Sequence, residues 1–269
     1  MKTKLAVLSR LSKKRAAQKA FELFITPQSR VKKALPPVFK KAEKLQFVFE
    51  GYTIIGYRFN HPLQKKVLIL HGFESSVINF DRYINPLLKK GYEVLAFDAP
   101  AHGSSSGSRI NAVDYKNFII HILKTYGPIT SFITHSFGGL ALSLALEEVP
   151  HNKEWKAVLI APATESTTAM DHFFKLLKLD NEVRLEFDAL ITEANNKPPQ
   201  WYSVSRAAPN IKAQVLFLQD KTDNLTPLSD VEPIMAKKYP NFQFVISDGL
   251  GHRRIYRNPA TIEAIMRFL

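Results

Sequence analysis

The chain has 269 residues, 45% of them apolar, and no cysteine. That is ample for a sizeable core, and it excludes a disulfide framework, a thiolate nucleophile and a zinc–thiolate site. The net charge of +13 is local: residues 1–45 hold 13 Lys and Arg against Glu22 and Glu43, a balance of +11, and the other 224 residues carry only +2.

The opening "MKTKLAVLSRLSKKRAAQKA" is basic, but its apolar piece "LAVL" is too short for a secretory signal. No run approaches the roughly 18 apolar residues that span a bilayer, so a cytoplasmic soluble protein is expected. Leu5, Leu8, Leu11, Ala17, Phe21 and Phe24 recur at near-helical spacing between basic residues, which predicts a helix in the segment 1–45. Two readings fit it. The favoured one folds the apolar stripe onto the main domain; the other rests the helix weakly on an anionic membrane surface. Nucleic acid is not expected as a partner, since the rest of the chain is nearly neutral.

Pro27, Pro36 and Pro37 punctuate the path to a main domain expected over residues 46–269. "LQFVFEGYTIIGYRF" reads as a hairpin around Gly51. Buried strands follow at "VLIL" (67–70), "EVLAF" (93–97), "SFIT" (131–134), "AVLIA" (157–161), "QVLFL" (214–218) and "FQFVI" (242–246). Between them lie helical patterns: "FDRYINPLLKKG"; a helix opened by Asn111 and Asp114; another over about 137–148; and the last two over 228–239 and 259–269. This alternation predicts an α/β fold with a mostly parallel sheet covered on both faces. The stretch of about 164–210 is longer than one crossover helix requires and reads as a small helical lid.

In such a sheet, ligands gather where strands end at their carboxyl edge. "HGF" follows the strand at 67–70, "DAPAHGSSSG" the strand at 93–97, and "HSFGG" the strand at 131–134. "DKTDNLTP" and "SDGLGHRRI" follow the last two. A serine, an acid and a histidine therefore fall in that order on one rim. Five such motifs in this order resemble the α/β-hydrolase superfamily, in a serine-nucleophile, esterase- or lipase-like branch, from about residue 45 to the C-terminus.

The resemblance implies that Ser136 is the nucleophile on a strained turn, His252 its base and Asp223 the acid that orients the base. It places the oxyanion hole at the backbone N–H groups of Phe73 and Phe137. Asp223 is preferred to Asp220 and Glu165 because "DNLTP" fits the family's Asp-x-x-x-Pro context; Asp98 reads as a loop organiser. The family pattern is Gly-x-Ser-x-Gly, and here Thr134 stands in the first glycine's place, its hydroxyl available to a neighbouring backbone group. His135 is expected to point away from Ser136, and His71 and His102 to shape loops.

No metal-ligand spacing, P-loop or complete glycine fingerprint occurs, so neither metal nor cofactor is expected. The implied reaction is hydrolysis of a small-molecule carboxylic ester, or of a thioester or amide, through an acyl-enzyme. Phe173, Phe174 and Trp201 of the lid are candidates for an apolar substrate pocket. The competing reading is a ligand- or membrane-surface-binding protein of the same fold without turnover.

Overall fold

The structure, a computed structural model, describes residues 2–31 and 33–269, with side chains from Leu5 onward. Two helices come first, α1 (Lys2–Leu11) and α2 (Lys13–Phe24). Strands β1 (Glu43–Phe49), β2 (Tyr52–Phe59) and β3 (Lys66–Leu70) follow, then α3 (Asp81–Lys89), β4 (Glu93–Phe97), α4 (Ala112–Tyr126), β5 (Ser131–His135), α5 (Phe137–Glu148) and β6 (Lys156–Ile160). An insertion of α6 (Ser166–Leu177), α7 (Asn181–Asn195) and α8 (Val204–Ala207) precedes β7 (Gln214–Asp220), α9 (Glu232–Ala236), β8 (Phe242–Ser247), α10 (Gly251–Arg254) and α11 (Pro259–Phe268).

All eight strands form one sheet in the order β1-β2-β4-β3-β5-β6-β7-β8. The β1–β2 and β2–β4 pairs are antiparallel and the rest parallel. Central strands must bury both faces under helices, and their sequences are accordingly apolar throughout. In β3, Leu68 and Leu70 enter the core on one side of the sheet while Val67 and Ile69 enter the core on the other. The edge strand β8 shows the mixed burial of a strand half open to water. This is the α/β-hydrolase fold, with β5, β7 and β8 delivering their carboxyl ends to one rim.

The N-terminal helix differs from expectation, for it is broken. Ser12 adopts an extended conformation and its hydroxyl accepts from the Arg15 N–H, capping α2 as a separate helix. The break turns Leu11 outward, 78% exposed, while Leu5 stays buried. In α2 the side chains of Ala16, Ala17 and Ala20 are fully buried, small enough to let the helix approach α7 closely. Phe21 and Phe24 each meet Phe187 edge-on at 5.7 Å. Much of the apolar stripe thus packs onto the rest of the molecule, while Val7 and Leu11 stay exposed and Phe21 and Phe24 half-buried.

Residues after α2 are strapped to the sheet's carboxyl edge. Ile110 donates its N–H to Ile25 O at 2.9 Å, and the Arg30 guanidinium donates to the carbonyls of Gly103, Ser105 and Gly107.

The predicted helix over 228–239 is also shorter than expected. It comprises a 3-10 turn at Leu228–Asp230 and α9, which Lys238 closes at a φ of 50°. Among the described residues, no helix is long and apolar enough to cross a bilayer.

Candidate active site

Ser136 sits between β5 and α5 with φ 53° and ψ −120°, a conformation that costs a non-glycine residue about 1–3 kcal/mol. Its backbone is held there from both sides: its N–H donates to Ile160 O at 3.0 Å, and its carbonyl accepts from Gly139 N and Ala163 N at 2.9 and 3.1 Å. The turn needs close approach. A Cβ on Gly138 would lie 2.7 Å from His71 O and 2.8 Å from Leu70 O, both immovable backbone atoms.

Thr134, in the position where the family carries glycine, is accommodated by its neighbours. Its hydroxyl donates to Val158 O at 2.9 Å, and it occupies space left by Gly139, whose Cβ would come within 3.2 Å of Thr134 Oγ1.

The three candidate residues meet in series. His252 Nε2 lies 3.0 Å from Ser136 Oγ, and His252 Nδ1 lies 2.8 Å from Asp223 Oδ2. With a carboxylate facing Nδ1, the neutral ring carries its proton there and turns the Nε2 lone pair to the serine hydroxyl. Asp223 is buried, which alone would raise its pKa. Hydrogen bonds from His252, from the Thr226 N–H and from the Thr226 hydroxyl outweigh burial and hold the carboxyl below its ordinary value. A hydroxyl so placed can pass its proton to the imidazole as it attacks, and the ionised acid balances the imidazolium that results.

The rival acids have structural work. Asp220 is buried and accepts from the Leu250 and Gly251 N–H groups, so it pins the loop just ahead of His252. Burial opposes its ionisation, yet bonds from Ser247, Thr222 and those two amides hold it far below the carboxylate range. Glu165 accepts from Ser203 Oγ at 2.9 Å, at the base of the insertion. Asp98 accepts from Ser76 Oγ and from the N–H groups of Val77 and Ser104, organising the loop after β4.

Both candidate oxyanion donors border Ser136. Phe137 is the first residue of α5, where an N–H has no acceptor within the helix. Phe73 follows Gly72, and a Cβ on Gly72 would meet Ser136 Cβ at 2.9 Å, so glycine alone lets that loop lie against the serine. Two histidines brace the loop from behind. His71 donates from Nδ1 to Gly72 O at 2.8 Å and accepts the Ala99 N–H at Nε2; His102 donates to Pro100 O. Burial pushes His71 down to about 4 and His102 to about 3.

His135 belongs to the framework under the site. It turns beneath the base, its ring centroid 4.7 Å from that of His252, and donates from Nε2 to the His252 carbonyl at 2.9 Å. Burial, then the nearby His252, lowers it to about 3. Strand alternation assigns the side chain a face but says nothing of the His252 carbonyl it meets there.

A cavity of about 730 Å³ opens over Ser136 and His252, within the 300–1,000 Å³ range of small-molecule sites. Phe173 lines it, together with Met170, Leu176 and Tyr202. Phe174 and Trp201 lie off its wall. Phe174 turns into the lid, edge-on to Phe187 at 5.1 Å with Arg184 over its ring, and Trp201 stacks under Arg206 at 4.0 Å. Sequence spacing missed the wall that α2 and the residue capping its end supply: Phe21, Phe24 and Ile25. Among the described residues, no group of three His, Cys, Asp or Glu converges as a metal site.

Residues 61–203 match the serine aminopeptidase S33 family. The hydrolase YugF of Bacillus subtilis (strain 168) is 32% identical over 108 residues, a stretch covering 38% of this chain and 39% of YugF's own length. The protein YqkD of the same bacterium is 26% identical over 81% of this chain and 76% of its own. Among solved structures, an esterase of Pyrococcus furiosus superposes with a TM-score of 0.67 at 22% identity, over 91% of this chain and 97% of the esterase. That likeness concerns the fold. The sequence match, spanning more than half the chain, makes the protein a member of the serine aminopeptidase S33 family within the α/β-hydrolase superfamily.

Proposed function

We propose that this protein hydrolyses a carboxylic ester through an acyl-enzyme on Ser136. The observation that carries the reading is the unbroken series from Ser136 Oγ through the His252 ring to Asp223 at 3.0 and 2.8 Å. Ser136 Oγ attacks the ester carbonyl while His252 Nε2 takes its proton. The oxyanion formed accepts hydrogen bonds from the N–H groups of Phe73 and Phe137, each worth about 10²–10³ in rate in comparable sites. The C–O bond breaks as His252 returns the proton to the departing alcohol. Water then repeats the sequence on the acyl-enzyme, releasing the acid and free serine.

An ester is favoured over a peptide with a free N-terminus by the charge on the cavity wall. An α-ammonium taken out of water requires a carboxylate partner. Among the described residues lining the cavity, Glu74 alone carries one, and its Oε1 already accepts the Gln28 N–H at 2.7 Å. The wall is otherwise largely aromatic and aliphatic, which suits an acyl chain.

The test is labelling with a fluorophosphonate together with release of p-nitrophenol from short esters. Both should be present in the wild type and absent from Ser136→Ala. Failure of folded wild-type protein to label at Ser136 would refute the hydrolase and favour a binding protein without turnover.

A further inference from the structure

We infer that the N-terminal segment is part of the substrate site, with Phe21, Phe24 and Ile25 forming one wall of a pocket for a single apolar acyl chain and Phe24 setting the chain length accepted. The inference rests on the ester-hydrolase reading above and adds the residues that choose its substrate.

Three observations support it. First, Phe21, Phe24 and Ile25 line the same cavity that reaches Ser136 and His252. Second, these are not loosely attached side chains. Phe24 meets Phe173 edge-on at 5.2 Å and Phe187 at 5.7 Å, and Phe187 is fully buried in the lid. The Phe24 ring thus stands between the cavity and the lid core, and removing it enlarges the cavity toward Phe187.

Third, the wall is fixed at its other end. Ile25 O accepts the Ile110 N–H, and Arg30 binds the three carbonyls of the loop after β4, so the residues around Phe24 are tied to the rim that holds the site. Phe21, Phe24 and Phe173 pack against the core yet remain only half-buried. Their remaining apolar surface borders the cavity, and an acyl chain would cover it.

The experiment uses the full chain as wild type, Phe24→Ala and Phe24→Trp, with p-nitrophenyl acetate, butyrate, octanoate and laurate. Fluorophosphonate titration counts active sites in each preparation. In the wild type, kcat/KM should climb by about fourfold per buried methylene until the pocket is full. In Phe24→Trp, the octanoate-to-acetate ratio of kcat/KM should fall at least tenfold; in Phe24→Ala, the optimum should move to the longer chain.

A second readout is independent of turnover. Binding of dansyl-undecanoate, followed by fluorescence in the Ser136→Ala background, should weaken at least tenfold when Phe24→Trp is added. Unchanged chain-length profiles in proteins that label fully at Ser136, or dansyl-undecanoate binding indifferent to Phe24→Trp, would overturn the inference. Absence of labelling in the wild type would instead strike the hydrolase reading, and the binding experiment would still decide whether α2 walls an acyl pocket.

Discussion

Replacing Thr134 with glycine restores the pattern common to the family and should make this protein worse, in stability rather than in chemistry. Thr134 is fully buried, so the substitution removes its hydrogen bond to Val158 O, worth about 1 kcal/mol. It also removes a methyl group from a packed site, costing about 1 kcal/mol with the void left behind. Glycine inside a strand adds a further 0.5–1 kcal/mol or so of backbone entropy. The sum is about 3 kcal/mol, a sizeable part of the 5–15 kcal/mol or so that holds a typical domain together.

Ser136, by contrast, is held by Ile160 O, Gly139 N and Ala163 N, none of which belongs to residue 134. The fluorophosphonate labelling rate of folded Thr134→Gly should therefore stay within about threefold of wild type. Urea unfolding followed by tryptophan fluorescence measures the first quantity and gel-based labelling the second. Thr134→Val, which keeps the volume, should lose only about 1 kcal/mol. An unfolding free energy unchanged in Thr134→Gly, or a labelling rate reduced more than tenfold, would refute the claim that Thr134 and Gly139 share one packing site.

Acid should weaken the fold. His71, His102 and His135 are held near 4, 3 and 3 by burial, so as the pH falls through about 6.5 the unfolded chain comes to bind up to three more protons than the folded one. Stability is then lost as pH falls from 6.5 toward 4, on the order of 4 kcal/mol by pH 5.5, partly offset lower down by Asp98, whose carboxyl burial raises. Equal unfolding free energies at pH 7.5 and 5.5 would contradict this. Asp223→Asn should keep the fold and lower the labelling rate by about 10³–10⁴, because the amide no longer selects the Nδ1–H form of His252; a loss under tenfold would point to Asp220 as the acid. Gly138→Ala should yield little soluble protein, since its Cβ would press on two backbone carbonyls at 2.7 and 2.8 Å; normal expression with a wild-type melting temperature would show that the turn can open.

The sheet and the chain positions of the candidate residues were legible because both are written locally. Short apolar runs ended by polar loops mark β3 to β7, and the sequence position of Ser136, Asp223 and His252 relative to those ends requires no knowledge of packing. What could not be read depends on neighbours distant in the chain. The stripe in α1 and α2 announced a buried face, yet nothing in it named α7 as the partner or Ser12 as the break. Phe173 and Phe174 are adjacent and chemically identical; the helix turns one to the cavity and the other to Phe187 and Arg184. His135 carries no local sign that the carbonyl it bonds lies 117 residues ahead.

The seating of α2 against α7 bears on how the molecule is made. The ribosome releases α2 about 160 residues before its partner, a wait of roughly 10–30 s at ordinary rates of synthesis. Through that interval Phe21 and Phe24 lack the Phe187 ring that both meet edge-on in the finished fold. Completion of this side of the molecule is thus a late event, reached only after most of the sheet has been translated.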